Sequence, residues 1–131
     1  SILKIFMNNR IPVSGIILPL IYLFSAVSCI LFSSEIYEST FNIVSVFDHE
    51  FNIVQIGIWN LFYAIILRIL FVKYQEVYLD LLWIFALLEF VLLSNSLYVF
   101  YEFRIQHILY ASVIHFGFLY LLIYERRIFK K

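Results

Sequence analysis

The sequence predicts an all-α integral membrane protein with four transmembrane helices and both termini on the inner, positively charged side. Three observations lead to this prediction. Of the 131 residues, 64% are hydrophobic and 14% are charged, whereas the charged share of soluble domains is roughly 25%. Four apolar runs approach the ~20 residues that an α-helix needs to cross the hydrocarbon core. Lys and Arg collect at three places that share one side of the membrane if the chain crosses four times.

The four predicted helices are apolar on all faces and lack the alternation that is typical of barrel strands. We place them at about residues 13–32, 53–72, 78–100 and 105–124, within a single membrane domain that covers residues 1–131. Pro19 lies in the first helix, where it is tolerable because membrane helices accommodate proline. Lys4 and Arg10 precede this run as in a signal peptide, but its length favours a helix that is retained.

The connections between the runs indicate packing and orientation. Lys73 follows the second run and the tail after the fourth is basic, so both are assigned with the N-terminus to the inner side. Residues 73–77 and 101–104 form short turns, so the second, third and fourth helices should pack as antiparallel neighbours. Residues 33–50 contain acidic side chains and neither Lys nor Arg. We expect this longer connection to lie in the membrane interface or on a partner.

Three polar side chains fall near the middle of the predicted membrane. At ~1.5 Å rise per residue, Asn60 lies about 18 Å, Glu89 about 16 Å and His115 about 14 Å from the inner boundary. The hydrocarbon slab is ~30 Å thick, and an ionisable group at its centre is costly and usually functional. A carboxyl and an imidazole on neighbouring helices can exchange protons. We therefore predict Glu89 as a proton relay, with His115 and Asn60 as its hydrogen-bond partners.

Other interpretations of these residues stay open. Glu89 can be a protonated residue that joins helices by hydrogen bonds, while His115 and Asn60 can be packing residues. Haem ligation by His115, together with a histidine of a partner chain, is a further alternative. Ser94 and Asn95 make the third helix the most polar of the four, so we expect other helices to enclose it. The sequence contains no phosphate-binding loop, Cys/His metal cluster or nucleophile elbow, and we expect no cofactor and no metal.

One segment resembles a known family. Residues 87–97 read Leu-Leu-Glu-Phe-Val-Leu-Leu-Ser-Asn-Ser-Leu, which is similar to the middle helix of the small 4L-type membrane subunit of respiratory complex I. In that family, a Leu-Glu pair followed by apolar and then small or Asn residues is typical. The Glu of the family belongs to the membrane proton path, so the resemblance implies that role for Glu89 alone.

The resemblance extends to orientation and fails in the last helix. The second to fourth helices, with Lys73, Arg126 and Arg127, have the family's basic inner turn and basic inner C-terminus, and the first helix is an addition. The family's last helix carries a second buried Glu among small residues. In this chain His115 stands in that region, and we place Glu125 at the inner edge of the membrane.

The leading hypothesis is an integral membrane subunit of a larger respiratory, electron-transport complex. We expect it in the mitochondrial inner membrane or in a bacterial plasma membrane, with other membrane subunits and lipids as partners. Quinone contact would come only through the complex, and a net charge of zero gives no basis for nucleic-acid binding. No catalysis is expected from the isolated chain. A purely structural accessory subunit, or a haem or quinone anchor similar to that of succinate dehydrogenase, are the alternatives.

Overall fold

The computed structural model is all-helical and describes residues 11–32, 50–103 and 106–129, without the side chains of residues 50–53, 103, 106 and 107. It contains α1 (Ser14–Leu31), α2 (Glu50–Lys73), α3 (Gln75–Asp80), α4 (Leu82–Phe103) and α5 (Gln106–Phe129). The acidic connection between the first two predicted spans lies, up to residue 49, outside the described residues.

Four of these helices are long and apolar enough to cross a membrane, as predicted. Their apolar stretches are Ser14–Leu31, Val54–Lys73, Leu82–Glu102 and Ile108–Phe129, and each has a mean hydropathy of 1.6 or more. Few of the residues in these stretches are buried inside the chain, so most of their side chains face outward. An apolar exterior of this extent is compatible with an integral membrane protein, because lipid or other membrane helices can cover it.

The third predicted span begins later than the sequence indicated, because the chain forms a short helix before it. Tyr74 (φ −132°, ψ 54°) separates α2 from α3, and Leu81 (φ −88°, ψ 1°) separates α3 from α4. Tyr78 therefore lies on α3 and not on the long apolar helix α4. At the other end, α5 continues to Phe129, so Glu125 lies on this helix and not in a tail beyond it.

Small residues bring α1 and α2 into close contact. A Cβ atom on Gly57 would lie 2.9 Å from the Cβ of Cys29 and 3.0 Å from the carbonyl oxygen of Ala26. Gly15, at the start of α1, lies against the ring of Phe71 near the end of α2. The two helices are therefore antiparallel. Residues without bulky side chains permit such close approach of two helix backbones.

The pair α4 and α5 is the other close helix pair, as the short turn between them predicted. The sequence also predicted that the second and third spans pack as neighbours, but α2 packs more closely on α1 than on α4. The contact between α2 and α4 is made by rings such as Tyr63 and Phe85, whose centroids are 6.3 Å apart. The two pairs enclose one core, which consists of Leu18, Tyr22, Ala64, Leu67, Tyr78, Leu82, Phe85, Ala86, Phe118 and Leu122.

Candidate functional site: a buried carboxyl and its partners

Glu89 lies in the interior of the helix bundle. Its relative exposure is 0%, because it continues the buried face of α4 that Leu82, Phe85 and Ala86 form. Residues three, four and seven positions apart share one face of a helix, so the helical period alone carries this carboxyl into the core. A buried carboxyl must find hydrogen-bond partners there, since water cannot supply them.

The first partner is His115 on α5. Its Nδ1 lies 2.7 Å from Oε2 of Glu89, and 16% of its side chain is exposed. Ser112, Phe118 and Leu122 are buried on the same face of α5. The pair has two forms of equal total charge, an imidazolium with a carboxylate and a neutral imidazole with a carboxylic acid. Neither form leaves an unpaired charge in the core, which would be the costly arrangement.

The second partner is Tyr22 on α1, which the sequence analysis did not select. Its hydroxyl donates a hydrogen bond to Oε1 of Glu89, so both carboxyl oxygens are engaged. The ring of Tyr22 packs edge-on against Tyr63 of α2, with centroids 4.7 Å apart. The Tyr63 hydroxyl is buried and has no hydrogen-bond partner within the described parts of the chain. Tyr22, Tyr63, Glu89 and His115 form the Glu89 site, to which each of the four long apolar helices contributes one residue.

The structure does not bring Asn60 to the carboxyl, although the sequence analysis predicted it as a partner. Its side-chain Nδ2 donates to Oγ of Ser25 at 2.9 Å, so it joins α2 to α1. Asn60 precedes Tyr63 by three residues, or about 4.5 Å along the helix axis. Of the three predicted site residues, the structure therefore joins Glu89 and His115, while Asn60 stabilises the α1–α2 pair about one turn away.

Tyr22 and Tyr63 carried a signal that the sequence analysis did not use. Tyrosines of membrane helices concentrate at the two membrane surfaces. Tyr22 lies near the middle of Ser14–Leu31 and Tyr63 near the middle of Val54–Lys73. A tyrosine far from both ends of an apolar helix needs a polar partner for its hydroxyl. Their position in the middle of apolar runs therefore indicates, from the sequence alone, that the two tyrosines belong to a polar site.

A second polar cluster lies at the end of the bundle where α1 begins. Glu125, which is 2% exposed, accepts the backbone N–H of Ser14 on Oε1 at 2.8 Å and the Ser14 hydroxyl on Oε2. The Tyr78 hydroxyl contacts Oγ of Ser14. Burial raises the pKa of Tyr78, so its hydroxyl keeps its proton and can donate. We call these three residues the Glu125 cluster.

Glu125, which the sequence places at the inner edge of the membrane, has a carboxyl that is buried in the Glu125 cluster. The buried carboxyl accepts the backbone N–H of Ser14 at the N-terminus of α1, a group that has no partner within its own helix. A carboxylate is also favoured at this end of a helix by the helix dipole. The cluster therefore ties α1, α3 and α5 together.

Metal coordination and relationships to known proteins add no further assignment. Within the parts of the chain that the structure describes, no group of three or more His, Cys, Asp or Glu residues could hold a metal ion. Comparisons with protein-family models, with curated proteins and with solved structures found no match.

Proposed function

We propose that this chain is an integral subunit of a larger membrane complex and that Glu89 and His115 relay protons within it. The observation that carries the proposal is the 2.7 Å contact between Oε2 of Glu89 and Nδ1 of His115 in the bundle core. At this distance a proton can move between the two groups without a charge leaving the pair. Tyr22 holds the other carboxyl oxygen and thereby orients the carboxyl toward the imidazole.

The surface of the chain supports a role inside a complex. Ser94 and Asn95 are exposed on α4, although this helix is long and apolar enough to span a membrane. Polar side chains of membrane helices usually face protein and not lipid. Large aromatic side chains are also exposed, with Phe24 at 74% and Trp59 at 67%. We infer that neighbouring subunits cover the polar part of this surface and that lipids cover much of the rest.

The resemblance of residues 87–97 to the 4L-type subunit supports a respiratory complex of the complex I kind. A proton-path carboxyl must be shielded from lipid and have a partner for its proton, and Glu89 meets both conditions. On this proposal the subunit lies in the mitochondrial inner membrane or a bacterial plasma membrane. We infer that both termini lie on the inner side, because α2 and α5 end in basic residues and basic residues favour that side of a membrane.

The proposal is tested by Glu89→Gln in the assembled complex. Glutamine keeps the shape and hydrogen-bonding capacity of the side chain but cannot take up a proton. We expect normal assembly and a loss of proton translocation per electron transferred, measured on the purified complex in sealed vesicles. Glu102→Gln is the matched control, because Glu102 is exposed near the end of the same helix. Normal pumping by the Glu89→Gln complex would refute the relay.

A structural accessory subunit is the second candidate, and the hydrogen bonds of Glu89 favour it. The carboxyl joins α4 to α1 through Tyr22 and to α5 through His115. Hydrogen bonds to two other helices are what a residue needs if its role is to hold the bundle together. On this alternative Glu89→Gln leaves turnover unchanged, because the amide can keep both contacts. Glu89→Leu instead reduces the amount of assembled complex, measured by native gel electrophoresis.

A haem anchor is the third candidate, and the orientation of His115 favours it. Histidines that bind a metal through one ring nitrogen commonly donate the other N–H to a carboxylate. Oε2 of Glu89 lies 2.7 Å from Nδ1 of His115 and would accept its N–H. Nε2 of His115 would then bind the haem iron, with a histidine of a partner chain as the other ligand. The visible absorption spectrum of the purified complex, compared with that of the His115→Ala complex, tests this alternative. A haem band that is absent, or unchanged by the substitution, excludes it.

A further inference from the structure

A groove runs along the outside of the bundle between α1 and α2. It has a volume of about 390 Å³ and is only partly enclosed. It is lined by Ile16, Pro19, Leu20 and Leu23 of α1 and by Ala64, Ile65 and Arg68 of α2. Ala64 is small, so it leaves room between the two helices where a larger side chain would fill the space.

The lining of this groove is apolar except at one end. Arg68 is its charged residue. The guanidinium carbon lies 5.6 Å from the centre of the Phe71 ring, a cation–π contact. Arg68 precedes Lys73, the last residue of α2, by five positions. It therefore lies about 7.5 Å inside that end.

The direction of the groove follows from the helix pairing. Gly15 packs against Phe71, so the start of α1 is level with the end of α2, and Arg68, three residues before Phe71, is level with about Leu18. From Ile16 to Leu23 the lining extends seven residues along α1, or about 10 Å. The cation thus lies toward one end of the groove, and most of the apolar lining extends from it toward the middle of the bundle.

We propose that this groove binds one phospholipid, with its phosphate on Arg68 and an acyl chain along the apolar lining. A guanidinium binds phosphate oxygens through two parallel hydrogen bonds, and the apolar lining offers a favourable surface to the chain. Free phosphate would use the cation and leave the apolar lining without a function. A helix of a partner protein is the other possible occupant, but an α-helix with its side chains is 10–12 Å wide. A single acyl chain fits so small a groove better. The proposal is independent of the Glu89 site.

The test measures lipid retention by the full chain. The purified chain, in a mild detergent, is titrated with dioleoyl phosphatidylglycerol, and bound lipid is counted by native mass spectrometry. We expect Arg68→Gln to weaken binding about tenfold, as the loss of a charge-assisted hydrogen bond implies. Arg127→Gln is the matched control, because Arg127 is exposed in the last turn of α5 and lies outside the groove lining. Equal weakening by both substitutions would overturn the proposal.

A second pair of variants tests the acyl chain. Ile65 and Ile66 are neighbouring, exposed residues of α2, but Ile65 lines the groove and Ile66 does not. We expect Ile65→Trp to displace the lipid and Ile66→Trp to retain it. If the Ile65→Trp variant binds lipid normally, Arg68 recognises a headgroup without the groove, and the proposal fails. The proposal also fails if inorganic phosphate alone competes fully with the lipid, because Arg68 then binds a free ion. Loss of a partner subunit without loss of lipid in the Ile65→Trp complex would identify a helix as the occupant instead.

Discussion

Replacing Gly57 by alanine tests whether close packing of α1 on α2 holds the bundle together. The added Cβ would lie 2.9 Å from both the Cβ of Cys29 and the Cγ1 of Ile30, and 3.0 Å from the carbonyl oxygen of Ala26. Carbon atoms prefer separations of about 3.5–4.0 Å, so the helices must move apart by roughly 0.6–1.1 Å. Overpacking of this kind costs about 1–3 kcal/mol.

Gly117→Ala is the matched control for this substitution. Gly117 lies on α5, and a Cβ added there meets no atom within 4 Å. Both substitutions gain the same intrinsic helix propensity, about 0.8–1.0 kcal/mol on aqueous scales. The difference between the two variants therefore isolates the packing penalty, and we expect Gly57→Ala to be less stable than Gly117→Ala by about 1–3 kcal/mol.

The measurement is reversible unfolding in mixed micelles of a mild detergent and sodium dodecyl sulfate. Far-ultraviolet circular dichroism follows helix content, and the fluorescence of Trp59 and Trp83 follows tertiary structure. Identical transitions from both signals support a two-state treatment of the free energy. If Gly57→Ala is as stable as Gly117→Ala or more stable, the two helices are not as close as the structure has them.

The remaining predictions concern the polar residues in the core. Tyr22→Phe removes the hydroxyl that donates to Glu89 and should lower the free energy of unfolding by about 1.5–3 kcal/mol. Tyr63→Phe removes a buried hydroxyl without a partner in the described residues and should leave the free energy of unfolding unchanged or higher. A larger loss of stability in Tyr63→Phe than in Tyr22→Phe, in the same unfolding assay, would contradict the site geometry. Ser14→Ala removes the hydroxyl that Glu125 accepts and should accelerate amide hydrogen exchange in the first turn of α1, measured by mass spectrometry, while unchanged exchange there would show that this contact does not hold the helix end.

The sequence was sufficient to predict the four apolar helices and the meeting of Glu89 with His115. Helix length and hydropathy define the spans, because the membrane requires about 20 apolar residues for each crossing. Counting residues from a short turn then gives the depth of a side chain on each arm of an antiparallel pair. Glu89 and His115 have similar depths on helices joined by such a turn, so counting residues could predict that the two side chains meet, as they do at 2.7 Å.

Depth alone could not predict which way each helix turns its polar residues. Asn60 has about the same predicted depth as Glu89, but it is three residues from Tyr63, which rotates it by roughly 60° around α2. It therefore contacts Ser25 of α1. The rotation of α1 and α2 is determined by their small residues, such as Gly57, where the backbones approach. An apolar helix without a marked polar face gives no indication of this rotation beforehand.

The position of Glu125 escaped prediction for a different reason. The sequence Glu-Arg-Arg at the end of the fourth apolar run is typical of a helix end at the membrane surface, so the acid was grouped with its basic neighbours. The structure separates them: α5 continues through this segment to Phe129, and Glu125 turns inward to the N–H group of Ser14. A contact between residues 111 positions apart has no local sequence signal.

The distribution of the Glu89 site over both helix pairs has a consequence for how the protein is made. The α4–α5 hairpin contains the acid and the imidazole. The α1–α2 hairpin contains Tyr22, which donates to the acid, and Tyr63, which packs against Tyr22. The first hairpin leaves the ribosome before the second, so the phenol that Glu89 requires is already available when the acid emerges. Docking of the late hairpin on the early one is thus the step that brings the phenol of Tyr22 to Glu89.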